Sequence, residues 1–386
     1  MDNKVYIVQC GDYDEVEQKL TSLIDLMGGA KRFAKAGEKI VLKANLLREA
    51  RPDQAVCTHP AVVAAAGKLA REAGAVPMIA DSPGGGYRYN AKTLEKIYRT
   101  SGMLQAANQA GIEINRDTSS RPVSYAAGVL TKHFDIITPV FEADAVFNLC
   151  KMKTHLFTVM TGAVKNLFGV IPGLIKTGYH AKLHDSARFA GMLLDLAQYL
   201  APRLTIMDAV LAMEGDGPGS GDPRQVGLLL GSANPLALDV VAGEIMGIDR
   251  TENPIIMEAE RRALSPNRIE EIDVVGASLA EVKIPDFKRS RVSAGSLGLQ
   301  SMPWYQRLLE PVFKNAFTVR PRVIWDRCIG CGTCIEGCPV EAVSFVNERA
   351  LIDDDKCIRC YCCHELCPEE AIGLFSSWLY QLLKPA

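Results

Sequence analysis

The sequence predicts an α/β protein: a parallel-sheet domain of alternating strands and helices, followed by a small cysteine-rich module. Three observations lead there. Over the first 285 residues, short β-branched runs alternate with longer helical patterns, the mark of strand–helix–strand units. Nine of the twelve cysteines fall between Cys328 and Cys367, leaving only Cys10, Cys57 and Cys150 before them. At 386 residues, 48% hydrophobic and 23% charged, the chain is long enough for two or three domains with ample core.

Val5 to Val8 reads as the first strand and Glu15 to Lys35 as a helix. Lys39 to Leu42 is the second strand, and the next helix is expected to start with Thr58 as N-cap and Pro60 in its first turn, where a missing N–H is tolerated. Val76 to Ala80, Phe134 to Thr138, Ala145 to Leu149 and Leu204 to Met207 complete the strands, with Pro139 ending the fourth because it has no N–H for a ladder. The run Glu214 to Asp222 is too glycine-rich for regular structure, and Asn234-Pro235 then opens a helix carrying Asp239 as a first-turn carboxylate. Residues 286–321 read as a connector. Within it Trp304 to Phe317 has amphipathic spacing interrupted at Pro311, suited to clamping two domains or to a peripheral membrane contact. The divisions are therefore 1–285, the connector 286–321, the module 322–375 and a tail 376–386.

With 43 Lys+Arg against 45 Asp+Glu, the net charge of −2 excludes a strongly basic nucleic-acid binder. No run of 18 apolar residues suggests a spanning helix, and the N-terminus lacks the basic and apolar regions of a signal peptide, so a cytoplasmic location is expected. In that reducing compartment the cysteines are expected as thiolate ligands rather than disulfides. The module holds ten acidic and five basic side chains, leaving the larger domain mildly basic.

The module reads Cys328-x2-Cys331-x2-Cys334-x3-Cys338-Pro339, and every one of these positions recurs 29 residues later as Cys357, Cys360, Cys363, Cys367 and Pro368. Three cysteines in a tight loop can address three irons of one cubane, while the fourth cannot reach the same cube and ligates its partner. Cys328, Cys331, Cys334 and Cys367 are therefore expected to hold one [4Fe-4S] cluster, and Cys357, Cys360, Cys363 and Cys338 the other. Structural zinc, with ligands in two pairs, leaves this doubled pattern unexplained. Cys362 reads as a small buried neighbour of the ligands, and His364 as a supporting or surface residue. The motif closely resembles the bacterial two-cluster ferredoxin family, which implies a small α+β ferredoxin-like fold and one-electron transfer. Excess acid around such clusters favours a low potential and docking to a basic partner.

In the larger domain, residues 151–184 hold five lysines, three histidines and no acidic residue, which points to an anion site. Lys153 and His155 follow a strand, where open parallel sheets place their ligands. Lys43 and Asn45 end the second strand, Asp81 to Gly86 the third, and Asp208 follows the Leu204 strand. We expect lysines to fix a carboxylate or phosphate and a histidine to move the proton that accompanies an electron. The candidate catalytic residues are Lys153, His155, Lys165, His180 and Asp208, with Asp81 as a further acid–base or metal partner. The candidate cofactor-binding residues are Lys43, Asn45, Asn166, Gly215 and Gly217, the glycines letting backbone N–H groups approach a ligand. Neither a Walker loop nor a dinucleotide fingerprint is present.

Lys43-Ala-Asn45, Thr58-His-Pro60, Lys153-Thr-His155, Lys165-Asn166, Pro172-Gly173, His180, Asp208, Gly215 to Gly219 and Asp239 together resemble the iron-sulfur-associated proteins of the "domain of unknown function 362" type. That resemblance implies iron-sulfur redox chemistry and names no reaction. His155, Lys165, Pro172-Gly173 and His180 are also similar in order to the lactate racemase family, which implies a nickel-pincer nucleotide bonded to the lysine with nickel on the last histidine. The Gly-Gly-Arg that precedes the lysine there is missing here, and the Pro-Gly is displaced.

The leading expectation is an iron-sulfur oxidoreductase of anaerobic metabolism. Its two clusters would relay electrons between a low-potential donor or redox partner protein and an anionic small molecule, with an additional metal or organic cofactor in the larger domain. The alternatives are a non-enzymatic electron carrier or assembly factor, and a nickel-pincer-like metal-nucleotide enzyme.

Overall fold

The computed structural model describes residues 3–84, 86–183, 185–291 and 319–376. The amphipathic stretch Trp304 to Phe317 with Pro311, the tail beyond 376, and His184 lie outside the described residues.

The strands in chain order are β1 (Lys4–Gln9), β2 (Lys39–Lys43), β3 (Val76–Ile79), β4 (Glu113–Ile114), β5 (Ser120–Ser124), β6 (His133–Ile137), β7 (Ala145–His155), β8 (Val159–Met160), β9 (Leu204–Glu214), β10 (Asp222–Ser232) and β11 (Asp273–Gly276). The main sheet runs β11-β1-β10-β9-β7-β2-β3-β4. All its neighbours are parallel except β10, which is antiparallel to both β1 and β9, and β8 adds an antiparallel pair at the end of β7. Both faces are covered, so β2 and β7 are apolar on alternate residues in each direction. Leu42, Phe147 and Ile206 face the helices Val16–Leu26 and Pro60–Glu72. Val41 and Val146 face Phe189, Leu193 and Val240 of Ser186–Leu200 and Pro235–Ile245.

Several expectations change. The first helix stops at Leu26, short of Lys35, because Gly28 and Gly29 follow with φ of 100° and 85°. The second helix is capped by His59, whose Nδ1 accepts from Ala61 N, while Thr58 instead bridges Asn45 N and Leu149 O. The Phe134 strand forms but pairs only with β5, in a hairpin outside the main sheet. β7 and β9 continue to His155 and Glu214, well past the apolar runs that mark their starts. β10 is a strand that the glycine-rich run before it conceals. Asp239 sits inside the protein, where its carboxylate accepts from Ala163 N at 2.5 Å and Val164 N at 2.9 Å and so caps the short helix Gly162–Asn166.

The C-terminal module pairs β12 (Arg320–Val323) with β15 (Ile372–Phe375) and β13 (Val343–Val346) with β14 (Arg349–Ile352), all antiparallel. Two short helices, Thr333–Glu336 and Cys362–Leu366, carry the later cysteines of each repeat. Its core is Val343, Ala350, Ala371 and Ile372 together with Cys334, Cys363 and Cys367.

Candidate functional site

The parallel strands β2, β3 and β7 end on one side of the sheet, and their last residues carry the polar groups. β2 delivers Lys43 and Asn45, β3 delivers Asp81 and Ser82, and the helices Gly162–Asn166 and Ile175–Lys182 add Lys165, Asn166, Lys176 and His180. The module supplies the remaining wall through Cys362, Glu365 and Leu366. The cavity volume is about 60 Å³.

Charge inside is arranged in layers. Lys43 Nζ meets Asp81 Oδ1 at 2.7 Å, Ala44 O at 2.7 Å and Asn166 Oδ1 at 3.3 Å, and Asp81 Oδ2 also accepts from Leu46 N. Lys176 Nζ donates to Ser82 O, Ser82 Oγ and Pro83 O at 2.6–2.9 Å. Burial pushes the Lys176 ammonium down to about 7, against the pull of Asp81. His180 stacks on Phe189 with centroids 4.5 Å apart; burial, then the charge of Lys165, pushes it down to about 3. Among the described residues, the buried atoms His180 Nδ1 and Thr161 Oγ1 at the cavity have no hydrogen-bond partner.

His155 lies at the end of β7, fully buried. Its Nδ1 accepts from Phe157 N at 3.0 Å, which leaves the ring proton on Nε2, and Nε2 faces Glu365 Oε1 of the module at 3.2 Å. Burial raises Glu365 to about 7, with Lys165 and Lys153 opposing.

The module is seated on bare backbone. A Cβ on Gly219 would stand 2.4 Å from Glu365 O, and one on Gly86 would meet Leu366 at 2.2 Å and Gly337 Cα at 3.3 Å. Arg48, fully buried, donates to Gly219 O at 2.6 Å and lies 3.7 Å from Glu370. His364 donates toward Asp216 O across the boundary at 3.4 Å, which makes it a bridging residue.

Cys328, Cys331, Cys334 and Cys367 line one cavity of about 20 Å³, so a sulfur of the second repeat joins three of the first. Burial, and then the charges of Cys331, Cys367 and Cys328, push the Cys334 thiol up to about 12. Burial likewise raises Cys357, whose neighbouring sulfurs are Cys360 and Cys338. Sulfurs spread around a space in this way suit a cubane with one iron per thiolate.

Of the candidate residues, Lys43, Asn45, Lys165, Asn166 and His180 meet at the interdomain cavity, and His155 stands behind Glu365. Four positions lie elsewhere. Lys153 Nζ is occupied by Asn45 Oδ1, Val56 O and Pro218 O at 2.7–3.2 Å, so it positions Asn45 and the glycine loop. Asp208 is remote from the cavity, its oxygens held by Lys151, Tyr13 and His59 N at 2.7–3.0 Å. Gly215 and Gly217 cradle nothing: their N–H groups donate to Lys288 O and Thr154 Oγ1. Lys176, Ser82, Thr161 and Glu365 were not singled out by sequence. Lys176 lies in the acid-free stretch, but its role depends on Ser82 and Pro83, 94 and 93 residues away.

Among the described residues, no helix is long and apolar enough to cross a membrane. A model of the 4Fe-4S dicluster domain matches residues 320–368. A thylakoid-associated protein of Synechocystis is 36% identical over 284 residues, covering 71% of this chain and 86% of that protein. Two solved structures align more distantly. The lactate racemase apoprotein of Thermoanaerobacterium thermosaccharolyticum has a TM-score of 0.42 at 13% identity, covering 64% of this chain and 57% of the other. A Thermotoga maritima protein has a TM-score of 0.35 at 12% identity, covering 57% and 56%. A model described as "Domain of unknown function (DUF362)" matches residues 40–244, more than half of the chain, and the chain belongs to that family.

Proposed function

We propose that this protein is an iron-sulfur oxidoreductase that exchanges electrons with an anionic ligand in the interdomain cavity. Two [4Fe-4S] clusters, one on Cys328, Cys331, Cys334 and Cys367 and one on Cys357, Cys360, Cys363 and Cys338, would supply one-electron transfer. The observation that carries this reading is the shared wall. Cys362 and Glu365 line the cavity from the same short helix that carries Cys363, so a ligand beside Lys165 is next to the cysteine module. Lys165 and Thr161 bind the anion, Lys43 and Lys176 set a positive surround, and the hydrophobic stack of Phe157, Phe168 and Phe189 holds His180 at the wall. The acidic module is suited to a donor with a basic docking face.

Anaerobic protein reduced with dithionite and mixed with small carboxylates and phosphates tests the reading. Ligand-dependent return of cluster absorbance is expected. Lys165→Met should keep its iron and bind the anion about 3- to 10-fold more weakly, as expected for the loss of one hydrogen bond. Reduced clusters that no anion reoxidises would rule the reading out.

A further inference from the structure

Lys43, Lys151, Lys153, Lys165 and Lys176 lie on β2, β7 and the two helices at the cavity, and four of them are occupied. Lys43, Lys153 and Lys176 each have three acceptors, and Lys151 has Asp208 and the Tyr13 hydroxyl. Lys165 differs: it lines the cavity, and among the described residues its Nζ has neither hydrogen-bond acceptor nor ion-pair partner. An ammonium has three donors and no acceptor, so a desolvated one without partners is costly, whereas the neutral amine carries a free lone pair. Burial favours that neutral amine, and the charge of Lys43 adds to it, while Glu365 and Cys362 oppose. The open atoms around it, His180 Nδ1 and Thr161 Oγ1, are both on side chains at least nine-tenths buried.

We propose that Lys165 is a nucleophile that forms an imine with the carbonyl carbon of a small oxo acid bound in the cavity. The Nζ lone pair attacks the carbonyl carbon, a C–N bond forms and the C–O bond breaks. The oxygen leaves as water with the two amine hydrogens, and no electrons are gained or lost. Thr161 Oγ1 and His180 Nδ1 meet the carboxylate and the departing oxygen. The neighbouring lysines cannot substitute, because each is already bonded. This inference rests on the ligand cavity of the proposed function and is independent of its electron transfer.

The test uses the oxidised full-length protein with its clusters in place, glyoxylate as the oxo acid, and cyanoborohydride, which reduces an imine to a stable secondary amine. Peptide mass spectrometry should find one carboxymethyl group on Lys165, formed at least about tenfold faster than on exposed Lys4 or Lys92. Oxalate, which has no electrophilic aldehyde, should slow the labelling. Lys165→Arg should keep its iron content and lose the fast site. A Lys165 left unlabelled, or labelled no faster than the exposed lysines, overturns the proposal. If an anion still reoxidises the reduced clusters of that unlabelled protein, imine chemistry fails and the electron-transfer reading stands.

Discussion

The two cysteine repeats share a pattern and have opposite surroundings. Glu336 and Glu365 occupy equivalent positions, 29 residues apart, one residue before the position of Gly337 or Leu366. Glu336 lies on the surface, its side chain 49% exposed and paired with Arg88 at 3.3 Å. Glu365 is 8% exposed and faces a fully buried histidine. The loops differ in the same sense, with Ile329 65% exposed and Cys331 at the surface, whereas every residue from Tyr361 to Cys367 is buried. Duplication therefore sets where the sulfurs go, and the residues between them set which copy faces the solvent and which faces the cavity.

Four measurements break or sharpen that contrast. The largest effect is expected where the repeats are alike: Cys334→Ser or Cys363→Ser should each cost about half the iron, since on the proposed assignment either removes a ligand of one cubane. Cys362→Ser, with no counterpart cysteine in the first repeat, should leave the iron content unchanged. Equal iron loss in all three would erase the distinction between ligand and wall.

Asp239 separates burial from pairing, because it is a buried carboxylate whose hydrogen-bond partners among the described residues are backbone N–H groups. Burial raises it from 3.8 to about 7. Between those values the folded chain holds a proton that the unfolded chain has released. The stability it contributes is thus full below about pH 4 and is lost as pH rises through 7, an effect on the order of 4 kcal/mol. Denaturation midpoints of Asp239→Asn should fall less over that range, and superimposable profiles would contradict the assignment.

Gly219→Ala places a methyl against Glu365 O, which backbone cannot yield cheaply, so the seating of the module should weaken by about 1–3 kcal/mol. Limited proteolysis between the domains would report it. The smallest effects compare the two glutamates directly. Glu365→Ala removes the carboxyl 3.2 Å from the buried His155 Nε2 and leaves a gap there, which should cost about 2 kcal/mol. Glu336→Ala removes an exposed pair and should change stability by no more than about 0.5 kcal/mol. Equal costs would show that the burial of the second repeat carries no energetic weight.

Much of this was legible in the sequence because it is local. The 29-residue recurrence requires only counting, and β1, β2 and β3 announce themselves as apolar runs bounded by polar residues. β7 was read only to Leu149 because Lys151 and Lys153 look like loop residues. They belong to the strand because Asp208, Asn45 and Val56 O, all distant in sequence, receive their ammonium groups. The same limit applies to the cavity. Lys43, Asn45, Lys165, Asn166 and His180 follow from strand ends and an acid-free stretch, whereas Glu365 and Cys362 depend on how a second domain docks. The glycines at 215 and 217 looked like a cradle for an anion, yet Gly219 and Gly86 serve instead as flat ground for another piece of protein.

The cavity wall built from Cys362, Glu365 and Leu366 constrains how the protein can be dissected. A chain cut before β12 would lose the cysteine module and one wall of the cavity together, so a silent truncation could not say which had mattered. For the function proposed above, single-residue changes on the two sides of the seam, one touching sulfur and one touching amine, would separate the supply of electrons from the grip on a ligand.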